Sequence, residues 1–349
     1  MQSVPEAIDA IAEPQPRFSA EAAQRTLALD FGLEGKLTPL VSERDQNFKV
    51  ATADGRCFVF KIASRAEHAL TTDLQIKVLL HLENRHCPVT VPVLQRTLSG
   101  GESSLMLDGD MRYVCRVVSY VPGVPLSGVK LSAQLAEDFG QSTAKLDVAL
   151  QDFAHAGDCQ ILLWDLQRAG ELRALLPYLT EPALRASVRH CLDDFDKLVA
   201  PALPALRRQV IHADLNPDNV LANSDAGRAI AGVIDFGDMT RAPLIVEVAI
   251  ASAYLRVAGA DVLALIRPFV AGFQKILPLQ DDEIGLLFDL VRARLAATIT
   301  ILRWRAATRG SEDAYSNRFL LSESDAEVFL AGIDALGRDA FTEALLAVS

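Results

Sequence analysis

Two short groups of polar residues carry the residue types and spacing best suited to chemistry in this sequence. The first, HADLNPDN, occupies 212–219, and the second, DFGD, occupies 235–238; each directly follows an apolar run expected to form a strand. An H-x-D with an asparagine five residues after the aspartate, then an apolar run ending in D-F-G, is a compound pattern. Both halves in this order are far more specific than either half alone. They indicate phosphoryl transfer from a nucleotide.

Phosphoryl transfer needs few protein groups, and each can be assigned to a residue of this chain. A carboxylate must orient the acceptor hydroxyl and take its proton, and we assign this role to Asp214. Mg²⁺ prefers oxygen ligands, which Asn219 and Asp235 supply. A cation must hold the α- and β-phosphates, and Lys61, in the strand-like run FVFKI, suits that task. The predicted cofactors are therefore Mg²⁺ and, as phosphoryl donor, ATP or GTP.

Other interpretations of the same residues stay open from the sequence alone. Asp214 and Asn219 are also residue types that favour turns. Lys61, taken alone, fits an exposed edge-strand lysine. His212 is better suited to bracing the loop by hydrogen bonds than to carrying a proton. Asp238 suits either a contact with Mg²⁺ or the acceptor, or a helix cap.

These segments resemble the aminoglycoside phosphotransferase and choline kinase family of small-molecule kinases, with the hydroxylysine kinase and homoserine kinase type II-like branch the most similar. The resemblance rests on HADLNPDN at 212–219 and IDFGDM at 234–239. It is supported by DQNF at 45–48, FKI at 60–62 and VSYVPG at 118–123. The resemblance implies an aspartate base, an asparagine and a second aspartate on Mg²⁺, and ATP or GTP as the donor.

The resemblance implies further nucleotide-binding residues. The loop that covers the phosphates corresponds to 42–47, including Asn47, although it lacks the glycine-rich pattern of protein kinases. Ser119 and Val121 lie in the connector whose backbone groups read the purine base. Gln75 stands where the family usually has a glutamate paired with the strand lysine. A glutamine accepts a hydrogen bond but supplies no charge, so the carboxylate partner of that lysine is left open.

The resemblance also implies an α+β, protein-kinase-like bilobal fold, with an antiparallel β-sheet N-lobe and a mainly helical C-lobe. We expect a flexible N-terminal tail at 1–17, a nucleotide-binding lobe at 18–119, and a helical lobe with the catalytic loop and acceptor pocket at 120–349. In the helical lobe, Glu247 corresponds to a carboxylate that tethers the catalytic loop from a helix, a structural role.

Apolar periodicity predicts the individual elements, although it does not by itself separate this fold from other α+β folds. Asp54-Gly55 between two strand-like runs predicts a hairpin. Helices are predicted at 18–31, 67–84, 132–148, 183–199, 245–257 and 281–305, and further strands at 91–94, 104–107, 112–118, 209–211 and 230–234.

The acceptor pocket is expected over the catalytic aspartate, with Trp164, Asp165, Tyr254 and Asp238 as candidates for its lining. An aromatic ring beside a carboxylate suits an ammonium group, although a core tryptophan with a capping aspartate fits the same residues. The last predicted helix carries several arginines, one of which could hold an acceptor carboxylate, unless they form a solvated helix face. These arginines are Arg292, Arg294, Arg303 and Arg305.

The expected function is transfer of the γ-phosphoryl group of ATP or GTP to a hydroxyl of a small amino-bearing metabolite, hydroxylysine-like or homoserine-like. The alternatives are an aminoglycoside or choline/ethanolamine-type phosphotransferase and a nucleotide-binding pseudokinase. The retained lysine, base and metal ligands argue against the pseudokinase. The expected partners are a nucleoside triphosphate and a small hydroxylated amine or amino acid, and the oligomeric state stays open.

Composition bounds the remaining classes. In 349 residues, 34 Lys and Arg face 45 Asp and Glu, giving a net charge of −11, and 50% of residues are hydrophobic. This mix supports a full core and argues against broad nucleic-acid binding, which needs a basic surface. Five single cysteines without a C-x-x-C, and no signal-peptide-like or membrane-spanning run, predict a cytoplasmic protein that binds no membrane.

Overall fold

The structure is a computed structural model. It describes residues 15–42, 44–223, 229–257, 259–309 and 314–348. Most of the predicted N-terminal tail, 1–14, lies outside the described residues, and so does Glu43 in the loop at 42–47.

The backbone divides into two compact units. Unit 1 contains the chain up to Pro122 together with His155–Gln160, and unit 2 contains Gly123–Ala154 and the described chain from Ile161 onward. The expected lobe boundary at residues 119 and 120 falls close to the end of the first segment of unit 1.

Unit 1 is an antiparallel sheet with two helices, α1 (Ala20–Phe31) and α2 (Ala69–Asn84). Its strands are β1 (Gly35–Leu40), β2 (Gln46–Thr52), β3 (Cys57–Ile62), β4 (Leu94–Gln95), β5 (Ser104–Asp108) and β6 (Met111–Ser119). The strand order is β1-β2-β3-β6-β4, and β5 also pairs with β6. α1 packs its apolar side, including Leu27 and Phe31, in one cluster with Phe48 and Phe60 of the sheet.

The β2–β3 hairpin positions the strand lysine. Gly55 takes a φ of +86° in the turn, and the Asp54 carboxylate accepts hydrogen bonds from Thr52 and Arg56. Because side chains alternate along β3, Phe60 is buried on one face and Lys61 lies on the other.

Strand register places three polar residues side by side in unit 1. Asn47 of β2 pairs with Lys61 of β3, and Lys61 pairs with Arg116 of β6. Residues at paired positions share a face of the sheet, so the asparagine, the lysine and the arginine form one cross-strand row.

Unit 2 is mainly helical. Its regular elements are β7 (Val124–Pro125), α3 (Ala133–Leu150), α4 (Pro182–Asp194), β8 (Arg208–Ile211), β9 (Val220–Ala222), β10 (Ile230–Val233), β11 (Thr240–Pro243), α5 (Leu244–Ala253), α6 (Leu263–Gln274), α7 (Asp281–Arg309), α8 (Ala314–Leu336) and α9 (Arg338–Leu346). Short 3₁₀ segments occur at Leu126–Gly128, Leu166–Tyr178, Leu203–Ala205 and Phe236–Asp238, and a π-helical turn at Phe195–Val199 follows α4.

Two small antiparallel sheets, β10-β9-β7 and β11-β8, hold the motif segments of unit 2. The segment 212–219 joins β8 to β9, and the DFGD segment begins after β10. Val220 of β9 pairs with Val233 of β10. The ends of these two strands therefore bring Asn219 and Asp235 to the same edge.

The helices α3 and α6 approach each other closely at glycines. A Cβ atom on Gly140 would lie 1.9 Å from the Phe269 carbonyl oxygen, and one on Gly272 would lie 2.0 Å from the Glu137 carbonyl oxygen. Both contacts are far shorter than van der Waals distance, so only glycine permits this spacing. The packing fixes α3, whose last turn carries Asp147, within unit 2.

Most predicted elements are confirmed within one to three residues, including α1 and the hairpin at Asp54-Gly55; the Ser19 hydroxyl caps the start of α1. The predicted helix at 183–199 ends at Asp194 and continues as the π-helical turn, and the predicted helix at 245–257 ends at Ala253. The helices α6, α8 and α9 were not predicted.

The solvated-face interpretation of the late arginines is wrong for most of them. Arg292, Arg294 and Arg305 are at most 4% exposed, because α7 packs against neighbours on several sides. Arg303 is partly exposed and contacts Glu327. Within the described residues, no helix is both long enough and apolar enough to cross a lipid bilayer.

Candidate active site

The catalytic loop, residues 212–219, leaves β8 and is held from α5 by Glu247. This fully buried carboxylate accepts a hydrogen bond from the His212 N–H at 2.8 Å and one from the Ala213 N–H at 2.9 Å. Ala213 has a φ of +62°, which non-glycine residues rarely adopt. The two hydrogen bonds help to hold that strained conformation. Glu247 thus tethers the loop through its backbone.

His212 braces the same loop from the inside. Its Nε2 lies 3.0 Å from the Ile234 carbonyl oxygen, and its Nδ1 accepts a hydrogen bond from the Asp214 N–H at 3.3 Å. Because Nδ1 accepts, the proton is on Nε2, which donates to Ile234. Burial lowers the pKa of His212 and favours the neutral ring. The contacts suit a structural brace rather than a proton carrier.

Asp214 has hydrogen bonds to both carboxylate oxygens. Oδ2 accepts from Nδ2 of Asn216 and from Nδ2 of Asn219, each at 2.8 Å. Oδ1 accepts from Nη2 of Arg294 at 3.2 Å. The side chain is 17% exposed, so it is oriented by its neighbours yet open to a small molecule.

The same asparagines also form a turn, because the Asn219 N–H donates to the Asn216 carbonyl oxygen at 3.1 Å. The turn-forming and functional interpretations of this segment are therefore compatible. Both are served by the short polar side chains that bond the local backbone.

The environment of Asp214 shifts its pKa in the direction that suits the predicted role of general base. Burial and the nearby charge of Asp238 raise the pKa of Asp214 to about 7, while Arg294 and the hydrogen bond from Asn216 lower it. A carboxylate with a pKa near neutrality can accept a proton from a hydroxyl in the transition state more readily than an ordinary aspartate.

Asn219 and Asp235 are brought together at the end of the β9–β10 hairpin. The Ile234 N–H donates to the Asn219 carbonyl oxygen at 2.9 Å, and Asp235 follows with a φ of +62° and an exposed side chain. Nδ2 of Asn219 donates to Asp214, which leaves its amide oxygen for another partner.

These donors fit Mg²⁺ rather than a closed metal cage. Among the described residues, no cluster of at least three His, Cys, Asp or Glu side chains suits a metal ion. An amide oxygen and an exposed carboxylate match a Mg²⁺ ion that takes its other ligands from water and phosphate. Asn219 and Asp235 are thus the residues of unit 2 that could hold such an ion.

The predicted lining residues have distinct positions. Nε1–H of Trp164 donates to Oδ2 of Asp238 at 3.1 Å, so these two side chains are in contact. Asp165 accepts a hydrogen bond from the Gln167 N–H at 3.0 Å and caps the 3₁₀ segment that follows it. Asp238 is buried and raises the pKa of Asp214. Trp164 and Asp238 thus lie near the base, whereas Asp165 caps a helical segment.

Tyr254 and Arg294 complete the surroundings of the base. Nη2 of Arg294 donates to the Tyr254 hydroxyl at 3.0 Å, and the guanidinium carbon lies 5.5 Å from the centre of the Tyr254 ring. Arg294 is on α7 and only 4% exposed. A buried arginine beside the catalytic aspartate distinguishes this site from a purely acidic pocket.

In unit 1, Gln75 of α2 contacts the sheet through Arg116. Its Oε1 accepts a hydrogen bond from Nη2 of Arg116, and its Nε2 donates to Oε2 of Glu67 at 3.1 Å. Gln75 and Arg116 are both buried. Lys61 is the neighbour of Arg116 across the sheet. These contacts link α2 to β6, the strand that pairs with the strand carrying Lys61.

The connector residues lie at the end of β6. Ser119 donates its N–H to the Val93 carbonyl oxygen at 2.8 Å and accepts the Val93 N–H on Oγ at 2.9 Å. Val121 is buried. The connector is thus anchored to the chain beside β4. Asn47, on β2, has a buried Oδ1 without a hydrogen-bond partner in the described part of the chain.

Sequence reasoning missed Arg116, Asn216 and Asp147. A charge inside the apolar run VCRVV signals Arg116, and an amide two residues after the base signals Asn216. Asp147 is fully buried on α3, and within the described residues its two carboxylate oxygens have no hydrogen-bond partner. Asp147 lies on the same buried face of α3 as Phe139 and Leu150. A carboxylate on an otherwise apolar helix face is the sequence signal that could have revealed it.

Comparisons with known proteins agree with this fold. The model of the phosphotransferase enzyme family matches residues 36–275. Hydroxylysine kinase of Danio rerio is 27% identical over 314 residues, covering 87% of this chain and 88% of that protein. Homoserine kinase of Rhizobium johnstonii is 30% identical over 231 residues, covering 62% and 63%. The solved structure of amicoumacin kinase hAmiN, with AMP-PNP, Ca²⁺ and Ami, gives a TM-score of 0.67 at 14% identity and covers 91% and 94%.

The chain belongs to the phosphotransferase enzyme family. The predicted α+β, protein-kinase-like fold is confirmed, and so is the predicted enzyme class. The protein is a small-molecule kinase that acts on a hydroxyl group.

Proposed function

We propose that this kinase transfers the γ-phosphoryl group of ATP or GTP to the hydroxyl of a small amino acid, hydroxylysine-like or homoserine-like. One observation carries the proposal: Asp214 is aligned by Asn216 and Asn219 on one oxygen and by Arg294 on the other. The hydroxylysine and homoserine kinases among its relatives support this choice of acceptor. We also propose a cytoplasmic location, since the five cysteines are all free thiols.

Asp214 is the proposed catalytic residue. The acceptor hydroxyl donates its hydrogen bond to Asp214, the acceptor oxygen forms the new bond to the γ-phosphorus, and the bond from that phosphorus to the β-phosphate oxygen breaks. The hydroxyl proton passes to the Asp214 carboxylate, and a nucleoside diphosphate leaves. Asn216 and Asn219 fix the orientation of Oδ2 during this step.

Binding of the donor is assigned to residues of both sequence halves. Asn219 and Asp235 would hold Mg²⁺, which neutralises phosphate charge when bound. Lys61 would bind the α- and β-phosphates, with Asn47 in the phosphate loop. Ser119 and Val121 would contact the purine through their backbones, and Gln75 supports this region through Arg116. The list of proposed donor residues is thus Lys61, Asn47, Gln75, Ser119, Val121, Asn219 and Asp235.

The test is release of nucleoside diphosphate with Mg²⁺ and ATP or GTP over hydroxylated amino acids, amino alcohols and aminoglycosides. We expect turnover on a hydroxylated amino acid and a loss of about 10³-fold or more in kcat for Asp214→Asn, which keeps the shape but removes the base. Asp152→Asn, at an exposed position, serves as the control. Turnover only on amino alcohols or aminoglycosides would replace the proposed acceptor.

A measurement of nucleotide binding, together with the activity of Asp214→Asn, distinguishes the remaining outcomes. Mg²⁺-dependent binding of ATP or GTP without turnover on any acceptor would contradict the proposed acceptor class. Full activity of Asp214→Asn would contradict the assignment of the base.

A further inference from the structure

Arg294 lies beside Asp214, and within the described residues one N–H group of its guanidinium has no hydrogen-bond acceptor. Its Nη2 donates to Asp214 at 3.2 Å and to Tyr254 at 3.0 Å, and its Nη1 donates to the Trp164 carbonyl oxygen at 3.3 Å. Its Nε is buried and has no hydrogen-bond partner within the described part of the chain. A buried N–H without an acceptor is unfavourable, so it calls for a partner.

The geometry of the guanidinium group suggests what that partner is. Nε–H and one N–H of Nη2 point in parallel from one edge of the planar group, and such an edge binds both oxygens of a carboxylate. Asp214 uses only Nη2 of this edge, because its second oxygen is held by Asn216 and Asn219. Both N–H groups of Nη2 are engaged, by Asp214 and by Tyr254, so within the described part of the chain Nε–H is the donor of this edge that is left for a further carboxylate oxygen.

Two more arginines lie close to Tyr254 and Trp164. The guanidinium carbon of Arg256 lies 5.5 Å from the centre of the Tyr254 ring, and that of Arg305 lies 5.8 Å from the centre of the Trp164 ring. With Arg294, this places three arginines around Tyr254 and Trp164. The carboxylates of Asp214 and Asp238 lie in the same surroundings, so the site presents both signs of charge, which suits an acceptor that carries an ammonium group and a carboxylate group.

We propose that the carboxylate of the acceptor binds the Nε–H of Arg294 and shares the neighbouring Nη2 N–H with Asp214, which makes Arg294 the residue that selects amino acids over amino alcohols. The inference rests on the proposed function and adds the group that reads the substrate. Arg294 also contacts Asp214, and the acceptor hydroxyl must reach Asp214 as well. The carboxylate and the hydroxyl of the acceptor are therefore separated by only a few carbon atoms.

The test compares acceptors that differ only at the carboxylate. The substrates are homoserine, homoserinamide and homoserinol, and hydroxylysine with its carboxamide. We expect the wild-type enzyme to prefer the carboxylate over the carboxamide by about 100-fold in kcat/KM, since a site built for a group rejects the analogue that lacks it. In Arg294→Met, this preference falls to within about threefold, in addition to a common loss on both acceptors that follows from removing a hydrogen bond to Asp214.

Two further variants make the result specific. Arg294→Lys keeps the charge but loses the planar edge, so it should retain only a minor part of the preference. Arg303→Met removes a partly exposed arginine of the same helix and should leave the preference unchanged. Stabilisation of the wild-type protein against heat by homoserine, but not by homoserinamide, gives a second readout that needs no variant.

Each outcome bears on a different claim. An equal loss on carboxylate and carboxamide in Arg294→Met would mean that Arg294 acts only through Asp214, and the inference would be wrong. A wild-type enzyme that phosphorylates both forms equally well would also overturn it, while leaving the proposed kinase function intact. A wild-type enzyme that phosphorylates none of these acceptors would overturn the proposed function itself.

Discussion

At the scale of single residues, the site depends on buried polar groups that share their hydrogen bonds. Glu247 bonds two successive N–H groups of the catalytic loop, and one of them belongs to Ala213 at positive φ. His212 joins this loop to the end of β10 through Ile234. The predicted base, Asp214, is thus positioned by groups that bond the backbone on either side of its loop.

Glu247→Gln tests this tether. A glutamine offers one acceptor oxygen, so one of the two buried N–H groups faces an NH₂ group and loses its partner. We expect the free energy of unfolding to fall by about 1–3 kcal/mol, with a lower kcat and a smaller change in KM. Urea unfolding and steady-state kinetics measure both effects. An unchanged stability and kcat would show that the loop keeps its conformation without the carboxylate.

At the scale of elements, helix α2 is joined to strand β6 by a buried polar pair. Arg116 lies next to Lys61 on the sheet and donates to Gln75 of the helix, which in turn bonds Glu67. A buried guanidinium is costly unless its hydrogen bonds are made. The helix and the sheet therefore depend on each other through this pair.

A double-mutant cycle on this pair measures the coupling. Gln75→Leu removes the acceptor of a buried arginine and should lower the free energy of unfolding by about 2–4 kcal/mol. Adding Arg116→Met removes the unpaired charge, so the double variant should recover part of that loss, with a coupling of at least about 1 kcal/mol.

The matched control is the Lys77–Glu102 ion pair on the outer side of α2, whose lysine side chain is 41% exposed. Its coupling should stay below about 1 kcal/mol, because water and salt screen exposed pairs. Additive effects of Gln75→Leu and Arg116→Met would count against a shared role.

At the scale of the whole molecule, unit 2 contains a buried acid whose carboxylate oxygens have no hydrogen-bond partner among the residues that the structure describes. Asp147 lies on α3, and the Gln209 side chain donates to its backbone oxygen rather than to its carboxyl group. Burial and the nearby Glu247 hold the pKa of Asp147 well above its usual value. The folded protein therefore binds a proton there that the unfolded chain releases near pH 4.

This excess proton makes stability depend on pH. Between the unfolded pKa and the raised folded pKa, the folded state binds more protons, so the free energy of unfolding falls as pH rises, by up to about 1.4 kcal/mol per pH unit for one group. Asp147→Asn should flatten this dependence above about pH 4, the ordinary aspartate pKa, in urea titrations at several pH values. Asp152→Asn, at an exposed position, should leave the slope as in the wild type. An unaltered slope in Asp147→Asn would contradict the account.

Much of the fold was predictable because its signals are local. Ser19 and Gly32 mark the ends of α1, Asp54-Gly55 marks the hairpin, and the spacing of Asp214, Asn219 and Asp235 marks the reaction class. The helices α6, α8 and α9 were missed.

The sequence by itself determined the reaction class and predicted Asp214 as the base, because the motif places short polar side chains at fixed distances along one loop. Only the tertiary structure decided which distant residues face that base. Arg294 is 80 residues from Asp214 along the chain, and its helix contains other arginines of the same type. Whether such an arginine lies in water or beside a carboxylate depends on how α7 packs, and packing is a property of the folded chain.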